Sequence, residues 1–250
     1  MDFQGTNHTN PFFDELSKYP GRFVVPVLFA DSTGTTNNGS GFFLSLGERT
    51  FAITCHHVVA KYRERASSAR VSFQFGPVRF LPDSRVVSES KGLDIAVFDV
   101  TDFVGRPEGI GNAQRIVAPK WPPGDLAQDD IIGLAGFPGS GRERHDPDYF
   151  RFYNFSAPTL AIESLHSSYL YTKIELDASQ VAGHRLEVVE NLAGLSGGPV
   201  FAWRLGLIRT AELVGMVTEY QQGLDLLYVR RLTCLRADGT LDEDLGAFVV

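Results

Sequence analysis

Gly194-Leu195-Ser196-Gly197-Gly198-Pro199-Val200 sets a serine among glycines and then runs into an apolar strand. A nucleophilic serine needs an exposed hydroxyl and backbone N–H groups that can point at a developing oxyanion. Glycines on both sides supply the unusual φ/ψ values such a loop requires. The run therefore marks Ser196 as a candidate nucleophile, with the loop backbone around it as a candidate anion site.

Working outward, the run also satisfies G-x-S-x-G, the strand-turn-helix elbow of the α/β-hydrolases. Gly197, Gly198 and Pro199 start a helix poorly, and that fold places its histidine after the serine. Here all the histidines (His8, His56, His57, His145, His166 and His184) precede Ser196, which argues against it. The base must come from upstream, where His56 and His57 stand side by side in Ala52-Ile53-Thr54-Cys55-His56-His57-Val58-Val59. A carboxylate must then orient the imidazole and stabilise the imidazolium. Asp94, in Gly92-Leu93-Asp94-Ile95-Ala96-Val97-Phe98, leads into an apolar strand. Its rivals are Asp99, which would face the other side of a continuous strand, and Asp102, where the apolar pattern has ended; both are expected to be solvated.

The rest of the chain reads as strands. Arg22–Phe29, Gly41–Leu46, Arg49–Thr54, Val71–Phe75 and Arg85–Val100 are β-branched or aromatic runs separated by turn residues. Thr101–Asp129 loses this pattern and gathers Pro and Gly, as a connection would. Further runs follow at Ile131–Phe137, Phe150–Phe155, Thr159–Glu163, Tyr169–Leu176, Pro199–Phe201, Leu213–Tyr220 and Leu226–Leu235. Strands on both sides with almost no helical period favour all-β units over a parallel βαβ sheet. The first 20 residues look helical, with Asn10 as cap, Pro11 at the first position and Phe12, Phe13 and Leu16 on one face. The aromatic cluster of Tyr149, Phe150, Phe152, Tyr153 and Phe155 is expected to be hairpin core.

With 250 residues the chain can bury roughly three quarters of its unfolded surface. A net charge of −7 and no basic stripe interleaved with aromatics make nucleic acid an unexpected partner. The basic run Arg142–His145 reads as a solvated loop. The two cysteines, Cys55 and Cys234, are expected to be reduced and buried, since a secreted enzyme of this size carries several bridges. No apolar run is long enough to span a bilayer, so no membrane association is expected and the expected location is the cytoplasm. His56 and His57 lack the i, i+4 spacing of a zinc site, and no metal or other cofactor is expected.

The T-C-H-H-V-V step, the Asp-x-Ala step and the serine loop, in that order, resemble the trypsin-like serine proteases, and in particular their stand-alone bacterial intracellular branch. Ile132–Gly139 (IGLAGFPG) is similar to the turn that opens the second barrel there. The resemblance implies an all-β fold of two six-stranded antiparallel β-barrels with the active site in the cleft between them. Residues 21–110 would form the first barrel, 111–129 the linker and 130–250 the second barrel, after the helical segment 1–20. The family's register selects His57 and Asp94 as partners of Ser196. It implies an oxyanion hole from the N–H groups of Gly194 and Ser196, each such donor being worth on the order of 3 kcal/mol. Thr218, Glu219 and Tyr220 would line the cleft and pair with an extended polypeptide substrate. Glu190 would sit at the base of the specificity pocket and favour Lys or Arg. Leu195 stands where zymogen-activated members keep an aspartate, so activation by propeptide removal is not expected. No sensor domain is recognised, and control is expected from the barrels, the first 20 residues or an activating protein partner.

Overall fold

In the computed structural model, which describes residues 15–16, 18–31, 36–111, 114–146, 149–174, 192–205 and 209–245, the β-branched and aromatic runs become strands and the Gly, Asn, Asp and Ser clusters become turns. The first half forms β1 (Val24–Asp31), β2 (Thr36–Leu46), β3 (Arg49–Thr54), β4 (Val71–Phe75), β5 (Val78–Arg79), β6 (Val86–Ser90) and β7 (Ile95–Asp99), with β8 (Arg115–Val117) lying in the Gly/Pro-rich stretch. Their order is β5-β4-β1-β2-β3-β7-β6, all antiparallel, with β8 added parallel to β2. An α-helix, α1 (His56–Ala66), follows β3.

The second half forms β9 (Ile131–Gly136), a hairpin of β10 (Arg142–Asp146) and β11 (Tyr149–Phe152), β12 (Phe155–Ala161), β13 (Ser164–Leu165), β14 (Tyr169–Lys173), β15 (Pro199–Leu205), β16 (Arg209–Gln221) and β17 (Leu226–Arg231). Apart from the hairpin they make one antiparallel sheet, β12-β9-β15-β16-β17-β14-β13. The fold is thus two curled antiparallel sheets. Among the described residues they hold eight and seven strands; the excess over six each comes from the short β5, β8 and β13.

Curling depends on long strands that change partner. β2 pairs with β1 over Thr36–Phe42 and with β3 over Phe42–Leu46, and β16 passes from β15 to β17 at Gly215 and Met216. These two strands carry residues of the candidate site. Phe29, Phe42, Phe43, Phe51, Phe75 and Phe98 fill the first core, each burial contributing about 1.5–3 kcal/mol. Ile132, Leu134, Phe155, Val200 and Leu227 belong to the second. Phe201, Leu213 and Met216 leave the second sheet to pack in the first core, so the two sheets share a face.

Some expectations change. The run Arg85–Val100 is two strands, because Lys91–Asp94 form a turn. The basic run Arg142–His145 is strand β10, not a loop: it pairs with β11, and Arg144 lies 5.7 Å over the Phe150 ring. Of the aromatic cluster, Phe155 is core, while Phe150 and Phe152 lie half-buried on the separate hairpin. Cys55 and Cys234 are unbridged and buried. Glu15, Leu16 and Lys18 are helical; Asn10, Pro11, Phe12 and Phe13 lie outside the described residues. Truncating fully buried Phe51 to alanine should lower unfolding free energy by about 3–5 kcal/mol in urea titrations, more than any surface substitution.

Candidate active site

His57 is fixed by the place where β3 turns into α1. Cys55 is extended (φ −71°, ψ 142°), and His56 and His57 open the helix. Val58, Val59 and Tyr62 anchor it in the first core, the Tyr62 ring meeting Phe29 and Phe73 at 6.2 and 5.1 Å. In the last turn Arg63 donates two bonds to Glu89, at 2.6 and 2.8 Å, and one to Asp83. His56 Nδ1 lies 2.6 Å from Glu89 Oε1 but off the line a hydrogen bond needs. His56 thus faces the ion pair that clamps α1 to β6.

Asp94 ends the turn before β7 with φ +55°, a left-handed conformation that Asp tolerates better than most residues. That conformation brings both carboxylate oxygens to His57. Oδ1 accepts the His57 backbone N–H at 2.9 Å, and Oδ2 meets ring Nδ1 at 2.8 Å. A carboxylate only accepts, so Nδ1 carries the proton and Nε2 is the basic nitrogen. The rivals are occupied elsewhere: Asp99 pairs with Arg49 at 2.6 Å and Asp102 with Arg85 at 2.5 Å.

Two further side chains support this corner. Arg230, on β17, is only 6% exposed and gives Nε to Leu93 O at 3.0 Å, with Nη1 and Nη2 near Ser168 O and Gly92 O. Burial pulls its guanidinium below its ordinary pKa, and Cys234 and Asp94 oppose that pull. It braces the turn that presents Asp94. Nothing in the sequence marks it, because alternation puts it on the face of β17 shared with half-buried Leu226 and Tyr228 rather than with buried Leu227 and Val229. Buried Cys55 donates to Val217 O at 3.3 Å. Burial first, and then Asp94, pushes its thiol well above the usual cysteine range. Donor atoms of Cys55, His57 and Asp94 lie within 4.8 Å of one another, but the thiol keeps its proton and both Asp94 oxygens are taken by the His57 backbone N–H and ring Nδ1, a poor fit to a cation.

Ser196 comes from the second sheet. Its hydroxyl donates to Thr218 O at 2.9 Å. The loop around it has its carbonyls bound in sequence. Leu192 O accepts from Leu195 N, Ala193 O from Gly139 N at 2.7 Å, Gly194 O from the Ser40 hydroxyl at 2.7 Å, Leu195 O from Gly198 N and Ser196 O from Ser40 N. Gly194 and Gly197 have φ of +105° and +95°, and a Cβ on Gly197 would fall 1.9 Å from Ser40 O, so both positions require glycine. Leu195 is buried in the second core.

His57, Asp94, Gly194, Ser196, Thr218, Glu219 and Tyr220 all line one cleft of 470 Å³. β15 accompanies β16 only as far as Met216, so Thr218–Tyr220 keep β17 on one side and face the cleft on the other. Burial and the Asp225 carboxylate, which accepts from its hydroxyl at 2.8 Å, push the Tyr220 phenol up to about 12. Glu190 lies outside the described residues. Among the described residues no helix is long and apolar enough to cross a membrane. Ser40, Gly139 and Arg230 are the supporting residues that sequence reasoning misses.

No protein-family model and no curated protein matches the sequence. Among solved structures the chain is similar to the tobacco vein mottling virus protease, at 12% identity over 100% of this chain and 98% of that one, with a TM-score of 0.45. It is similar to a serine endoprotease from Yersinia pestis, at 14% identity and TM-score 0.47, covering 87% of this chain and 62% of that one, under two thirds of its length. A thermostable serine protease from an extremophilic microorganism matches at 12% identity and TM-score 0.41, over 84% of this chain and 91% of that one. These are likenesses at low identity, and the chemistry proposed for the cleft stands on its own side chains.

Glu89 offers a test of the clamp beneath the histidines. Partial burial alone would raise its pKa, but Arg63 and His56 outweigh that and hold the carboxyl below the ordinary range. A lowered folded value means stability present above the unfolded pKa and lost as pH falls through the folded one. Glu89→Gln should lower the melting temperature at about pH 7, by an amount that shrinks as pH falls below the unfolded carboxylate range near about 4, as thermal melts against pH would show.

Proposed function

We propose that the cleft is the active site of a serine endopeptidase, with His57, Asp94 and Ser196 as its triad. The observation that carries this reading is the pair of hydrogen bonds that His57 donates to Asp94, at 2.9 and 2.8 Å, in the same cleft as a serine whose loop backbone is bound carbonyl by carbonyl. Asp94 fixes the tautomer and leaves Nε2 as base. Rotation about the Ser196 Cα–Cβ bond moves its hydroxyl from Thr218 O to Nε2; looser geometry of this kind is usual before substrate binds. Oγ attacks the scissile carbonyl carbon as its proton passes to Nε2. That proton then goes to the leaving amine, and water, activated by the same imidazole, releases the acyl group.

The oxyanion hole assigned to Gly194 and Ser196 is supported by the geometry of trans peptides, in which C=O and N–H point opposite ways. Ala193 O is drawn to Gly139 and Leu195 O to Gly198, so the Gly194 and Ser196 N–H groups point away from those anchors. The open side of β16 at Thr218–Tyr220 suits an extended polypeptide that adds as a strand. We retain Glu190 as the specificity residue for basic side chains, a cytoplasmic setting, and control by a protein partner as parts of the same proposal.

One observation favours a second reading. The Ser196 hydroxyl rests on Thr218 O, as it would in a protease fold that holds a peptide or partner with little turnover. A fluorophosphonate probe separates the two: labelling of the native protein, absent in Ser196→Ala, supports the enzyme, while no labelling of the folded protein under any condition supports the binding module. A peptide library separates an endopeptidase from an esterase of small substrates. On the enzyme reading Ser196→Ala should lower kcat about a millionfold and Asp94→Asn about 10⁴-fold. Glu190→Ala should depress cleavage after Lys and Arg relative to other residues; an unchanged profile removes the pocket assignment.

A further inference from the structure

We propose that Ser40 is a positioning residue for the anion-binding loop: its hydroxyl, by donating to the Gly194 carbonyl, holds the peptides flanking Gly194 so that the Gly194 N–H faces the cleft. The proposal rests on the serine-hydrolase reading and adds a residue from the opposite sheet to it.

Ser40 lies in β2 of the first sheet and is 0% exposed. Its polar atoms connect both halves of the molecule. The backbone N–H donates to Ser196 O at 2.8 Å, and the backbone carbonyl accepts from Thr54 Oγ1 at 2.7 Å. The hydroxyl donates its single proton to Gly194 O at 2.7 Å and accepts the Phe137 N–H at 2.8 Å. With the Phe137 bond fixing its acceptor side, the hydroxyl can aim its proton only at Gly194.

The backbone bonds survive in alanine, so they hold β2 to the nucleophile in any case. The hydroxyl bonds do not, and losing them leaves a part-buried carbonyl and a part-buried N–H without these partners. Gly194, at φ +105°, is where the chain relieves that cost most easily, because glycine crosses between backbone basins at little penalty. Rotation there turns the Gly194 N–H out of the cleft while leaving Ser196, His57 and Asp94 in place. Gly139 holds the preceding carbonyl at 2.7 Å, in the peptide that carries the Gly194 N–H, but it does not act independently of Ser40: the turn that presents Gly139 is itself tied to the Ser40 hydroxyl through the Phe137 N–H, so removing that hydroxyl loosens the anchors of both peptides flanking Gly194.

The test compares Ser40→Ala with Ser45→Ala in the full chain. Ser45 is a buried hydroxyl on the same strand, bonded to Thr50 Oγ1 at 2.8 Å and to Arg115, remote from the cleft. On a peptide substrate, Ser40→Ala should lose roughly 10- to 100-fold in kcat with KM changed less than about threefold, and should bind a peptide boronate more weakly by a similar factor. Ser45→Ala should keep its kcat. Wild-type kcat and boronate affinity in Ser40→Ala, or equal losses in both variants, would overturn the proposal. If the alanine variant does not fold, Ser40→Cys, which keeps the volume with a weaker donor, must show the same split between kcat and KM. If the native protein fails to label with fluorophosphonate, the hydrolase reading falls separately. A crystal structure of Ser40→Ala then decides the positioning role: a rotated Ala193–Gly194 peptide supports it, and an unchanged one refutes it.

Discussion

The constraint on which this molecule depends is that backbone carbonyls around the part-buried Ser196 must all find donors. An acceptor left without a partner in such a place costs about 1–3 kcal/mol, and a loop crowded with glycines has many ways to avoid that cost by turning. Here the acceptors from Leu192 to Ser196 are each met, by Leu195, Gly139, Ser40 and Gly198 N–H or hydroxyl groups. Gly198 O is met in turn by Val217 N. Satisfying the carbonyls inward leaves one backbone path, and the direction of the N–H groups follows from it. The glycines permit the path, and the donors choose it.

Those donors are drawn from two sheets. His57 and Asp94 are set within the first by α1 and the turn before β7, whereas Ser196 is set in the second. Their mutual register is therefore the register of the sheets, and a small set of bonds crosses between them. Ser40 reaches the serine loop, Arg230 reaches back to Leu93 beside Asp94, and Cys55 reaches Val217. Phe201, Leu213 and Met216 fill the first core from the second sheet, so apolar packing and polar contacts enforce the same register. Arg230 is the costly member, a cation taken out of water. Three carbonyls and a nearby carboxylate offset that cost, and rigidity of the Asp94 turn is what results.

Much of this is legible in the sequence because it is local. Alternating β-branched and aromatic runs between turn residues announce strands wherever they occur, and β1, β3, β4 and β9 lie where the pattern places them. Candidate residues are legible because each stands in a short distinctive run, and the chain order of His, Asp and Ser carries more than any one motif. Charge misleads at Arg142–His145, where the strand is held by aromatic partners across the hairpin rather than by its own apolar residues. Composition misleads at Arg115–Val117, where three residues in a Gly/Pro-rich stretch find the exposed side of β2.

The supporting residues are illegible for a different reason. Ser40 and Gly194 are 154 positions apart, and Arg230 and Leu93 are 137 apart. No window of sequence contains both partners, and neither partner looks unusual alone: a serine between glycines reads as a turn, and an arginine in a strand reads as solvated. Their roles exist only once the sheets have packed, because a hydroxyl or guanidinium acquires a fixed direction only where burial removes water as a competing partner. The groups proposed to do chemistry can be named from local pattern, while the groups proposed to aim them are defined by which carbonyls the folded chain would otherwise leave bare.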